Sequence, residues 1–254
     1  MRVTDPVPPG VWAVNAPLWK LAARGSLRWA RVLILCAHLV LIGGGYLAVL
    51  CIAEWRGVSV WNAMSNLDES IPALPWTFAV YATLYLYFPI TVLLAPRGLR
   101  GVRALLYHLQ AQLVVSVLSW VVFLTLPTRI HVRDQMPPAL ASSGRFLQEA
   151  YAQLYALDAP WNAWPSLHIS LSLLMLLCSA HFTRMKVGRH ELWKRGKLDT
   201  LAIAIAAPCW LALCVSVLTT KQHFVLDVWT GALVGWLTWC LYLRKLLDSL
   251  VLEA

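Results

Sequence analysis

Six stretches of this chain are predominantly apolar over about the length that crosses a bilayer, and this narrows the possible folds more than anything else in the sequence. They cover 32–53, 73–95, 104–126, 166–182, 201–218 and 224–243. A helix needs ~20 mostly apolar residues to span the hydrocarbon layer. Inside that layer every backbone polar group must be satisfied within the segment itself, which favours helices. With 59% hydrophobic and only 13% charged residues, a water-soluble globule is excluded. The expected fold is all-α: a polytopic membrane protein of six transmembrane helices. Residues 1–31 form a cytoplasmic N-terminal segment, and residues 32–254 form one membrane domain.

The charges orient those helices. The formal net charge is +9, from 21 Lys and Arg against 12 Asp and Glu. In a soluble protein that excess would suggest nucleic acid, but sixteen of the basic residues fall before the first run, between runs two and three, between runs four and five, and after run six. Lys and Arg concentrate on the cytoplasmic side, so both termini are expected inside. Only Arg56, Arg129, Arg133, Arg145 and Lys221 remain for the outer side. The compact loops point to a bacterial inner membrane. All six cysteines lie inside the apolar runs without zinc-ligand spacing, and they read as small buried hydrophobes.

Three segments then face outward, and the middle one carries Leu140, Leu147, Tyr151, Leu154 and Leu157 at helical spacing. This predicts an amphipathic helix over 138–157 lying on the outer membrane surface. The Gly43-Gly44-Gly45 run lacks a following Walker lysine and reads as a place for close helix packing.

The chemistry sits at the outer ends of two runs. One begins Asn162-Ala163-Trp164-Pro165-Ser166-Leu167-His168, and the other Thr219-Thr220-Lys221-Gln222-His223-Phe224-Val225-Leu226-Asp227. Residues four apart share a helix face. Asp227 can therefore hold one ring nitrogen of His223 and leave the other free to attack, as in nucleophile–base–orienter arrangements. Pro165 suits a first helical turn, and Asn162 or Ser166 suits its cap. The free N–H groups of such a helix end favour phosphate, to which Ser166 adds a hydroxyl. His168, just inside, is placed to protonate a leaving oxygen. Lys221, Arg129 and Arg133 are the cations available to a phosphoryl group. His38, His108, His181 and His190 fall on the cytoplasmic half and read as structural.

These residues resemble the type 2 phosphatidic acid phosphatase superfamily, whose signatures are K-x6-R-P, P-S-G-H and S-R-x5-H-x3-D. Pro165-Ser166-Leu167-His168 matches the second with Leu for Gly; Ser216, His223 and Asp227 match the third, with Val217 in place of Arg. The first is not intact, because Val122 stands where Lys would precede Arg129. The P-S-L-H variant and the stretch 67–76 are similar to the inositolphosphotransferase-like branch, related to inositol phosphorylceramide synthases. The resemblance implies that His223 becomes a phosphohistidine, with Asp227 its orienter, His168 the acid, and Ser166 on the phosphate. It implies no metal and no other cofactor. The expected partner is a membrane phospholipid or isoprenoid phosphate at the outer leaflet. The expected activity is that of a lipid phosphatase. A phosphotransferase moving a phospho-headgroup to a lipid acceptor, and a silent transporter or scaffold on the same fold, stand beside it.

Overall fold

A computed structural model describes residues 6–161, 163–186 and 192–252. Every element among them is helical. In chain order they are α1 (Ala16–Ala23), α2 (Leu27–Arg56), α3 (Asn66–Ser70), α4 (Pro75–Leu94), α5 (Gly98–Thr125), α6 (Met136–Ala141), α7 (Arg145–Leu157), α8 (Leu167–Lys186), α9 (Leu192–Thr219) and α10 (Val225–Val251). Four of these, α2, α4, α5 and α10, are long and apolar enough to cross a membrane; α8 and α9 contain shorter apolar helices over Leu167–Thr183 and Ala204–Thr219. The helices outrun the apolar runs because helical geometry continues into the polar flanks: α2 starts five residues before 32 and stops at Gly57, whose φ of 59° ends it in the left-handed region.

Among the four long helices α5 is the most deeply buried, whereas α2 and α10 turn most of their apolar surface outward. Val40, Leu93, Ile205 and Leu241 are among the exposed large side chains. Apolar surface of that extent is what a lipid-facing helix presents. This is a membrane protein. Trp29, Trp55, Trp76 and Trp229 stay exposed near helix ends, where an aromatic belt places them.

The second layer is organised by α8, which packs against α9, α10, α4 and α5. Its closest neighbour is set by two glycines on α10. A Cβ on Gly231 would stand 2.5 Å from the Ser166 carbonyl oxygen, and one on Gly235 would stand 2.9 Å from that of Ser170. Four-residue spacing puts both on one face, so α10 lies backbone to backbone on α8. Of the Gly43-Gly44-Gly45 run, only Gly45 makes a close contact, against the Trp120 ring of α5; Gly43 and Gly44 face open space.

One segment differs in detail from the sequence expectation. The single helix over 138–157 is two helices, because the Ser142 and Ser143 hydroxyls turn back onto the Ala139 carbonyl and Gly144 is extended. Ser side chains that compete for backbone groups end helices in this way. The N-terminal segment folds onto the bundle: Trp19 and Ala22 of α1 are buried, and Asn15 donates to Gln110 on α5. Asn162 and His190 lie outside the described residues.

Candidate active site

The close approach of α8 and α10 brings the two histidine motifs into contact. Ser166 caps α8, its Oγ accepting from Ile169 N at 3.4 Å, and its own N–H donates to the Asp227 carbonyl at 3.2 Å. At the start of α10, Asp227 Oδ2 accepts from Phe224 N at 2.9 Å, and Asp68 Oδ1 of α3 accepts from Val225 N at 2.7 Å. Two carboxylates thus satisfy N–H groups that a helix start leaves free. His223 and His168 are held on adjacent, fully anchored helix ends.

Their hydrogen bonds fix both imidazoles. His223 Nδ1 lies 3.3 Å from Asp227 Oδ2 and 3.1 Å from the Ala163 carbonyl oxygen. Both partners are acceptors, so the proton sits on Nδ1 and Nε2 keeps its lone pair. His168 Nδ1 is 2.9 Å from that Nε2, so it donates. His168 Nε2 in turn accepts from the Tyr81 hydroxyl at 2.7 Å. The result is one directional chain, Tyr81 to His168 to His223 to Asp227, whose tautomers are assigned from its terminal acceptor. His223 is 5% exposed and Asp227 fully buried. A neutral His223 with its lone pair aimed at a proton donor can attack an electrophile inserted between the two rings.

The cations divide. Lys221, in the left-handed region at φ 58°, is buried and donates from Nζ to the carbonyls of Asp68 and Ile71. Burial lowers its pKa, against the opposing charge of Asp68. Two of its three ammonium hydrogens are thereby used, and the loop preceding His223 is pegged to the segment before α4. Arg133 is also buried; it pairs with Asp158 at 3.0 Å and donates to Gln222 Oε1 at 2.6 Å, one residue before His223. Arg129 is exposed, and its guanidinium meets no polar partner among the described residues. The structure therefore brings His168, His223, Asp227 and Ser166 together, ties Lys221 and Arg133 to the adjoining loop, and leaves Arg129 apart.

Several residues of this arrangement escape sequence reasoning. Tyr81 and Tyr46 lie within apolar runs, where tyrosine passes for core; Tyr46 donates to Asp158. Asp158 follows α7 with no spacing rule to mark it. Asp68 alone had a local signal, because Ser65 and Asp68 form the reciprocal cap of α3.

Below His168 a groove of about 340 Å³ runs between α2, α4, α7 and α8. Tyr46, Tyr81, Asp158 and His168 line one end of it, and apolar side chains line most of the remainder. Residues 100–249 of the chain match the family model described as the PAP2 superfamily. No curated protein and no solved structure matches the chain.

Proposed function

Because the chain belongs to the PAP2 superfamily, whose members are phosphatases or phosphotransferases, we propose that it is a lipid phosphatase of the outer leaflet acting through a phosphohistidine on His223. The observation that carries this reading is the directional chain from Tyr81 to Asp227. His223 Nε2 attacks the phosphorus and forms the P–N bond while the ester P–O bond breaks. His168 gives its Nδ1 proton to the leaving oxygen while its Nε2 takes the hydroxyl proton of Tyr81, so the ring stays neutral and Tyr81 carries the negative charge until the second step returns that proton. Water then attacks the phosphohistidine, losing its proton to His168, and releases phosphate. Asp227 stabilises the charge that develops on His223. Ser166, Lys221 and Arg133 supply a hydroxyl donor and positive charge near the equatorial oxygens. Arg129 is the peripheral member of this set.

The membrane arrangement that accompanies this reading has six spans, α2, α4, α5, α8, α9 and α10, with both termini cytoplasmic. The histidines then lie at the outer interface, and α6 and α7 lie over them.

The burial of His223 favours a second reading. A centre closed to water suppresses hydrolysis of a reactive intermediate, and a lipid alcohol reaching it would take the phosphoryl or phospho-headgroup instead, as in the inositolphosphotransferase-like branch. Purified protein and a labelled phospholipid donor separate the two. Phosphatase action releases phosphate at a rate indifferent to added diacylglycerol, ceramide or inositol lipid. Negligible phosphate release, with label appearing only in an added acceptor, selects the transferase. No turnover of any lipid phosphate overturns both.

A further inference from the structure

We propose that the groove between α2 and α4 holds one acyl chain of the lipid whose phosphate occupies the His168–His223 centre. The inference rests on the reading of that centre as a lipid-phosphate site. It adds where the chain lies and which residue limits it.

The groove has two chemically distinct ends. Tyr46, Tyr81, Asp158 and His168 surround its mouth, while Ile42, Leu84, Phe88 and Leu171 line the interior, with His38 also on the wall. A phosphate fits only the mouth and a hydrocarbon only the interior. Its rim residues Leu39 and Tyr85 are 52% and 61% exposed on the apolar flank of the bundle. The groove therefore opens sideways toward lipid, and a chain can enter from the bilayer.

Its shape follows from α2. Residues His38–Gly43 form a π turn, a local widening common at functional positions in helices. Gly43 lines the groove with no side chain, and a Cβ there would meet nothing within 4 Å. From His38 to Tyr46 is eight residues, ~12 Å at helical rise. Spread over that length, the volume gives a cross-section of roughly 30 Å², room for a single hydrocarbon chain. The groove grips the part of the chain nearest the phosphate, and the rest leaves through the lateral opening.

Gly43→Leu tests this, with Gly44→Leu as the neighbouring control, whose Cβ also meets nothing but which does not line the groove. In detergent, the ratio of kcat/KM for dioleoyl phosphatidic acid to that for p-nitrophenyl phosphate is expected to fall on the order of 50-fold in Gly43→Leu, equivalent to losing about three buried methylenes. The ratio is expected to hold in Gly44→Leu. Independently of turnover, a phosphatidic acid with a photoactivatable group near its ester should crosslink to α2 and α4 around the groove, and Gly43→Leu should abolish that adduct. An unchanged ratio together with an unchanged adduct overturns the proposal, as does labelling displaced by a polyprenyl phosphate but not by excess dioleoyl phosphatidic acid. If wild-type protein turns over neither substrate while the adduct forms and Gly43→Leu removes it, the phosphatase reading fails and the groove stands.

Discussion

Substitution of Gly231 by alanine probes whether the helix contact makes the centre. The added Cβ would stand 2.5 Å from the Ser166 carbonyl oxygen, whereas ordinary contacts begin at 3.4 Å. The obstacle is backbone, which cannot swing aside as a side chain does. The two helix starts must therefore part by roughly 0.9 Å, the difference between those two distances. Carried to the rings, that movement stretches the His168 Nδ1–His223 Nε2 contact from 2.9 Å to roughly 3.8 Å, beyond hydrogen-bonding reach. A displacement of that size between reacting groups lowers turnover on the order of 10²-fold. Overpacking adds a stability loss of about 1–3 kcal/mol. Phosphate release from a lipid phosphate and a thermal melt in the same detergent measure the two effects separately. Gly44→Ala, which meets nothing, should change neither. Near-wild-type turnover in a folded Gly231→Ala protein would show that the ring contact does not depend on this helix approach.

Other outcomes follow from the same geometry. His223→Ala should abolish turnover while leaving the melting temperature measurable, and Asp227→Asn should lose on the order of 10²- to 10⁴-fold in kcat by analogy with orienting carboxylates; steady-state kinetics check both, and retained activity in folded His223→Ala removes the phosphohistidine. Arg133→Ala leaves the half-buried Asp158, 13% exposed, without its cation, which costs at most about 3–5 kcal/mol, the loss for a fully buried pair; Asp158→Asn in that background should restore much of the loss by denaturant or thermal unfolding, and an additive double variant would argue against coupling. For topology, cysteine labelling in a cysteine-free background should modify position 145, whose side chain is 90% exposed, from outside, and exposed position 20 only after permeabilisation. The reverse pattern would invert the orientation and move the centre to the cytoplasmic face.

The bundle was largely legible because its determinants are one-dimensional. Apolar runs locate helices, and α2, α4, α5 and α10 lie where the composition places them. The His223–Asp227 pair was legible for a similar reason, since it lies within one helical turn. What joins different segments was not. The Tyr81 bond to His168 spans 87 positions, and the Arg133 bond to Gln222 spans 89. No periodicity links such residues, and glycines at 231 and 235 announce a close approach without naming its partner. The break between α6 and α7 was missed because apolar spacing continues across it, while two serine hydroxyls decide the backbone locally.

The peg between Lys221 and the carbonyls of Asp68 and Ile71, together with the Asp68 cap on Val225, joins residues 150 to 157 positions apart. During synthesis the two halves leave the ribosome on the order of 10 s apart. Until then Asp68 Oδ1 has no Val225 N–H to accept from, and His168 faces no second ring. Contacts of such long range are made late. A nascent chain already inserted through its first helices is thus inert toward surrounding lipid, and the enzyme becomes competent only once its last helix has docked. A premature stop before α10 should accordingly yield a membrane-inserted but unlatched protein, recognisable to proteases by its uncapped loop.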